Sequence, residues 1–178
     1  SGQGIDIAYG IHTGPFGDTL IARTGRGICL VAFVSQATRE TELSRLQRFY
    51  PGASVREDRA ATAATADRLF AGTQLQAEPF RLNLKGTNLQ INVWRALLRI
   101  PRGAVRSYTQ LACDVGRGDA VRAVANAVAA NPVNYLIPCH RVLRANGDIG
   151  GFRGGTRVKQ DLLDWEADTV FADPPGWG

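Results

Sequence analysis

The sequence predicts an α+β protein in two parts: an α/β half, then a half of short helices. Three observations carry this. Short apolar runs bounded by glycine-containing turns occupy the first third. Apolar stripes at helical spacing dominate after Thr87. Between the two, Lys85-Gly86-Thr87 reads as a hinge. The boundaries drawn are 1–85 for the first domain, 86–170 for the second and 171–178 for a tail.

In the first half, Asp6 to Ile11 and Thr19 to Arg23 are short strands. Ile28 to Val34 is a near-continuous apolar run, as in a buried strand. Gly14 to Asp18 and Thr24 to Gly27 are the turns between them. Leu43, Leu46, Phe49 and Tyr50 recur at helical spacing, so Thr38 to Phe49 is a helix stopped by Pro51-Gly52. A second helix covers Ala60 to Gly72, and Phe80 to Leu84 alternates like a strand.

In the second half, Leu89, Val93, Trp94, Leu97 and Leu98 form one stripe of a helix ended by Pro101-Arg102-Gly103. Ser107 is a good N-cap for a helix from Tyr108 to Val115. Gly116-Arg117-Gly118 breaks the chain. Asp119 is a cap for a helix from Ala120 to Ala130, which Asn131-Pro132 ends. Two short helices joined by a glycine-containing turn fit a helix-turn-helix or an ordinary helical hairpin, and the basic surroundings favour the first. Ala112, four residues before Gly116, supplies the small-residue spacing that close packing there needs. Six alanines leave the second helix of the pair slim, with Arg122 its only cation. Such a helix suits close approach to a DNA backbone or minor groove, with one arginine wedged into the stack. It also suits plain packing with a snorkelling arginine. A last helix runs from Arg157 to Glu166.

Composition narrows the classes. The 178 residues are 44% hydrophobic and 21% charged, an ordinary globular balance. No apolar run is long enough for a membrane helix, and no basic-then-apolar leader is evident. Three scattered cysteines, Cys29, Cys113 and Cys139, argue against a disulfide framework and for a reducing compartment. Without a CxxC pair, and with two histidines, a conventional zinc site is not expected. The net charge is +5, and from Thr87 to Glu166 eleven Arg/Lys face six Asp/Glu. That excess is either a solvated basic face or a surface for a polyanion, of which DNA is the commonest.

Leu136-Ile137-Pro138-Cys139-His140-Arg141-Val142 is the stretch with chemistry in it. A buried thiol in apolar surroundings is inert, and needs a base or a cation to become a thiolate. His140 adjoins Cys139, but in extended chain the two side chains point apart, so contact requires a turn or a bridging water. The histidine in turn needs an orienting partner, and Glu166 is a candidate. Gly147 to Gly155 is a glycine-rich loop, either a flexible connector or a backbone able to approach a flat ligand.

Together these residues resemble the O6-alkylguanine-DNA alkyltransferases, or methylated-DNA–protein-cysteine methyltransferases. The resemblance rests on Val93-Trp94, Ile100-Pro101-Arg102-Gly103, Ser107-Tyr108, Leu111-Ala112, Arg122-Ala123-Val124, Asn131-Pro132, Ile137 to Val142, Gly151 to Gly154, and Lys159 with Leu162-Leu163 and Glu166. It covers nearly the whole chain and is strongest from Thr87 to Glu166. It implies a small N-terminal α/β domain with an antiparallel, ribonuclease H-like sheet, and a C-terminal domain with a winged helix-turn-helix. It also implies single-use transfer of an alkyl group from O6 of a flipped-out guanine to Cys139. On the matching positions, His140 is the base, through a water, and Glu166 orients it. Tyr108 protonates the leaving guanine, and Asn131 braces the active-site turn. Arg122 fills the gap in the stack, with Ser107, Tyr108 and Ala123 also at the DNA. The Val142 carbonyl, Phe152 and the Arg153 backbone N–H hold the base.

Double-stranded DNA is then the partner of a monomer, with cooperative binding along DNA an option. No cofactor or metal is called for. The location expected is cytoplasmic in a prokaryote and nuclear in a eukaryote. The chain departs from the family in Phe152, where tyrosine is common, in Arg153, where some relatives have serine, and in Gly118-Asp119, where a proline and a basic residue are frequent. Asp119 would repel phosphate. A non-enzymatic damage sensor of the same fold usually carries tryptophan where Cys139 stands. A methyl-sensing transcription regulator would need a cysteine-rich zinc domain that these residues do not hold. A cysteine hydrolase would need an oxyanion hole that nothing here requires.

Overall fold

The computed structural model describes residues 4–71 and 79–172. The chain divides into two compact units, residues 1–85 and 86–178. Helical structure runs through the first two residues assigned to the tail; the rest of the tail, and the end expected for the second helix, lie outside the described residues.

In the first unit, β1 (Asp6–Gly14), β2 (Gly17–Thr24) and β3 (Gly27–Phe33) are joined by two tight turns. They pair antiparallel, as short hairpin loops dictate. The sheet is nevertheless mixed, not purely antiparallel. After α1 (Arg39–Phe49) the chain returns as β4 (Ser54–Glu57), which pairs parallel with β1, giving the order β3-β2-β1-β4. A parallel neighbour needs such a helical crossover. β4 went unread in the sequence because it is a short edge strand with little burial, so Ser-Val-Arg-Glu carries no apolar alternation. β3 is buried at every position, and Leu30, Leu20, Ile7 and Leu46 form the heart of this unit's core. α2 (Arg59–Phe70) starts on Asp58, whose carboxylate accepts from the Ala61 N–H at 3.0 Å.

The strand expected at Phe80 to Leu84 is only a single bridge. The Arg81 carbonyl accepts from Ile28 N–H at 2.9 Å and Asn83 N–H donates to the Ile28 carbonyl at 2.8 Å. Gly27 makes that approach possible. It sits at φ 148°, and a Cβ there would stand 2.6 Å from the Arg81 carbonyl oxygen. Gly27→Ala is therefore expected to cost about 1–3 kcal/mol, measured as a lower urea midpoint with unchanged slope.

The second unit opens with α3 (Asn88–Leu97), started by a capping box between Thr87 and Gln90. Its Trp94 indole donates to the Ala127 carbonyl at 2.9 Å, tying α3 to the helix that carries Ala127. A two-residue parallel pairing joins β5 (Arg106–Ser107) to β6 (Val142–Leu143). α4 (Tyr108–Asp114) and α5 (Val121–Ala129) are the helix-turn-helix pair. Gly116 closes α4 at φ 72°, and Arg117 N–H reaches back to the Ala112 carbonyl at 2.8 Å. This is the left-handed C-cap that glycine makes cheap. Asp119 does not cap α5. The cap position is Ala120, with no side-chain bond, and Asp119 faces Arg117 at 3.5 Å instead. α6 (Thr156–Ala172) is longer than the helix read from the sequence.

Candidate active site

The cysteine stretch folds as a turn rather than a strand. Tyr135 takes a left-handed φ of 76°, unusual for a bulky residue. Ile137 N–H then closes on the Val133 carbonyl at 3.1 Å. Asn131, fully buried, holds this turn from inside. Its Nδ2 donates to the Ile137 carbonyl at 2.8 Å and its Oδ1 accepts from Val133 N–H at 3.0 Å. Cys139 to Arg141 follow as one 3-10 turn. The turn brings adjacent side chains out of the opposed arrangement of a strand.

His140 is completely buried, and its Nε2 lies 2.8 Å from Glu166 Oε1 on α6. Arg141 completes the cluster. Its Nε and Nη2 donate to the two Glu166 oxygens at 2.9 and 2.7 Å, and its Nη1 donates to the Ile100 carbonyl at 2.6 Å. Burial pushes the Glu166 carboxyl up, but hydrogen bonds and charge from His140 and Arg141 outweigh it and hold the group at about 2. An ionised Glu166 only accepts, so His140 Nε2 carries the proton. In the neutral ring it is the other nitrogen, Nδ1, that has the lone pair. It is buried and has no hydrogen-bond partner among the described residues. Sequence reading found the histidine and the carboxylate and missed the arginine between them.

Cys139 is 6% exposed and lines a pocket of about 430 Å³, within the range of small-molecule sites. Tyr108 at the start of α4, Val128 and Ala129 at the end of α5, and Gly151, Phe152 and Arg153 of the glycine-rich loop form its walls with Asn134. Burial, then the nearby Cys139 charge, raises the Tyr108 hydroxyl above the usual phenol range, so it remains a proton donor at neutral pH. The Arg153 guanidinium reaches across to the Ala129 carbonyl at 3.3 Å.

Two further residues were not singled out from the sequence as parts of a site. Lys159, completely buried, donates to the Val142 carbonyl at 2.6 Å and to the Gly151 carbonyl at 3.3 Å. It ties the cysteine turn to the glycine-rich loop, and leaves the Val142 oxygen one lone pair for anything else. Burial pulls its ammonium down to about 8, against the opposing influence of Cys139. Asn134 accepts from the Cys139 thiol at 3.7 Å through Oδ1. A lysine or asparagine alone carries no signal of such a role.

Of the residues assigned to DNA, Arg122 is exposed on α5 and Ala123 is half-buried beside it. Ser107 is engaged locally. Its Oγ accepts from Gln110 N–H at 3.0 Å while Gln110 Oε1 accepts from Ser107 N–H at 2.9 Å. Part of the cationic excess is neutralised: Arg106 pairs with Asp114 at 2.6 Å, and Arg141 with Glu166.

Comparison with known proteins agrees with this geometry. Residues 88–168 match the family model described as the 6-O-methylguanine DNA methyltransferase DNA-binding domain. The inducible methylated-DNA–protein-cysteine methyltransferase of Bacillus subtilis is 36% identical over 148 residues, 82% of each chain. The chain belongs to the methylated-DNA–protein-cysteine methyltransferase family. It is also 37% identical over 177 residues to the Escherichia coli bifunctional transcriptional activator/DNA repair enzyme Ada, and spans 47% of that protein, about half its length. Among solved structures, Mycobacterium tuberculosis OGT in complex with DNA superposes with a TM-score of 0.70 at 30% identity, covering 92% of this chain and 93% of that one. The family's N-terminal α/β unit with a mixed sheet and C-terminal helical unit with a helix-turn-helix are both present.

Proposed function

We propose that this methyltransferase-family chain reverses alkylation of DNA directly, moving a methyl group from O6 of guanine onto its own Cys139 once and irreversibly. The observation that carries the reading is a cysteine lining a base-sized pocket, adjacent in the chain to a histidine whose Nε2 is fixed on Glu166 and whose Nδ1, buried and without a partner among the described residues, can take a proton when the ring is neutral. The S–H proton goes through a water to His140 Nδ1, and Glu166 stabilises the imidazolium that results. The thiolate attacks the methyl carbon. An S–C bond forms, the C–O6 bond breaks, and its electron pair leaves with guanine. Tyr108 donates a proton to a guanine ring nitrogen, which lowers the cost of expelling an anion. A thioether is not readily hydrolysed, so the chain acts once.

Reaching O6 inside a duplex requires flipping the nucleotide out. In this reading the slim α5 lies against the minor groove and Arg122 occupies the gap. Phe152, the Arg153 backbone N–H and the Val142 carbonyl hold the base. One chain acts per lesion, as a monomer.

The test is a single-turnover reaction with a duplex containing O6-methylguanine, read by intact-protein and peptide mass spectrometry. One methyl on Cys139 per chain, absent in Cys139→Ala, is the expected result. Binding without a mass change would replace the transferase with a damage sensor.

A further inference from the structure

Asn134 ends in an amide with one arm spoken for and one idle. Oδ1 accepts the Cys139 S–H at 3.7 Å. Nδ2 is buried, with no partner among the described residues, in a side chain 2% exposed that lines the same pocket. A buried amide donor without a partner is unfavourable, so an idle one beside a nucleophile calls for a use.

The contact suits the thiol and not the thiolate. When Cys139 loses its proton, Oδ1 has nothing to accept and presents a partial negative charge to a full one. The amide's two ends have nearly the same shape, and its last torsion is broad and two-fold. A half-turn exchanges them without moving the backbone. We propose that Asn134 is a further catalytic residue, whose amide turns over as Cys139 ionises and gives the thiolate an Nδ2–H hydrogen bond. The S–H proton leaves for His140, the electron pair stays on sulfur, and the idle donor finds its acceptor. Burial penalises an unsolvated thiolate, and a donor bonded to the charged form offsets that penalty.

Other groups act on the sulfur as well. Lys159 reaches it electrostatically from α6, Tyr108 faces it from α4, and Arg144 influences both of these from beyond β6. The His140–Glu166–Arg141 cluster follows the sulfur directly in the chain. The Asn134 contribution is separable because it needs no net charge.

The inference rests on Cys139 as the nucleophile of the proposed transfer, but its test needs no DNA. The full chain is alkylated with iodoacetamide across a pH series. Modification is followed on the Cys139 peptide, since Cys113 is exposed and will also react. In Asn134→Leu, which keeps the volume and removes both polar ends, the inflection is expected to rise by about one pH unit. In Asn134→Asp, which keeps the shape but cannot donate when ionised, it should rise further. Methyl transfer from the duplex at neutral pH should slow by up to about tenfold in Asn134→Leu, the loss of thiolate that one unit represents. Unchanged inflections in both variants, even with lower melting temperatures or slower transfer, would reduce Asn134 to a packing residue and overturn the proposal. A shifted inflection in a chain that never takes methyl from DNA would leave the amide contact standing while the proposed transfer falls.

Discussion

Glu166→Ala is expected to lose about 3–5 kcal/mol of stability and nearly all methyl transfer. The carboxylate is 2% exposed and takes three hydrogen bonds, one from His140 and two from Arg141. Deleting it leaves the Arg141 charge in a partly buried site without its carboxylate, which is costlier than never having built the pair. Urea denaturation reads the stability, and single-turnover transfer reads the chemistry. Glu166→Gln keeps the shape and separates the two effects, since it loses the charge that favours imidazolium.

The same residue sets an acid dependence. The Glu166 carboxyl is depressed in the folded chain to about 2, from an ordinary value of 4.5. Its contribution is therefore fully present above about pH 4.5 and is lost as the pH falls from there toward 2. The depression corresponds to an order-of-magnitude contribution of about 3 kcal/mol. The stability difference between the native chain and Glu166→Gln should be flat near neutrality and shrink through that acid window. A constant difference down to pH 2 would place the charge effect elsewhere.

Asn131→Ala is expected to cost about 2–4 kcal/mol and to slow transfer beyond what lost folding explains. One amide satisfies both a buried donor, Val133 N–H, and a buried acceptor, the Ile137 carbonyl. Alanine leaves the Val133 N–H unpaired and takes one of two donors from the Ile137 carbonyl, and a turn with room for water in place of the side chain is the remedy least available at a site 1% exposed. The Ile137 carbonyl also accepts from Cys139 N–H at 2.8 Å, so losing its second donor moves Cys139 directly. Transfer rates measured where the variant is fully folded check this. A rate equal to that of the native chain would make Asn131 a stability residue only.

Short-range information reads well in this chain. The three hairpin strands, the helix starts at Ser107 and after Thr87, and the glycine break at Gly116 follow from neighbours a few residues apart, and the structure places them within a residue or two, except that the first strand runs three residues further, to Gly14. Cys139 and His140 are legible because they are adjacent and of reactive type. The errors have the same origin. Asp119 is a fine cap in isolation, yet Arg117 takes it. Phe80 to Leu84 alternates like a strand, but the sheet offers it one bridge.

By itself, then, the sequence determined the two-part α+β architecture, the helix-turn-helix and the reactive pair, because period, caps and residue chemistry are local. Only the tertiary structure decided that Arg141 clamps Glu166 across 25 residues, that Lys159 binds two loop carbonyls, and that Asn134 meets the thiol. Those contacts join side chains whose types are common and whose spacing has no period. Their partners are chosen when the core folds and buried polar groups must find one another or go unpaired.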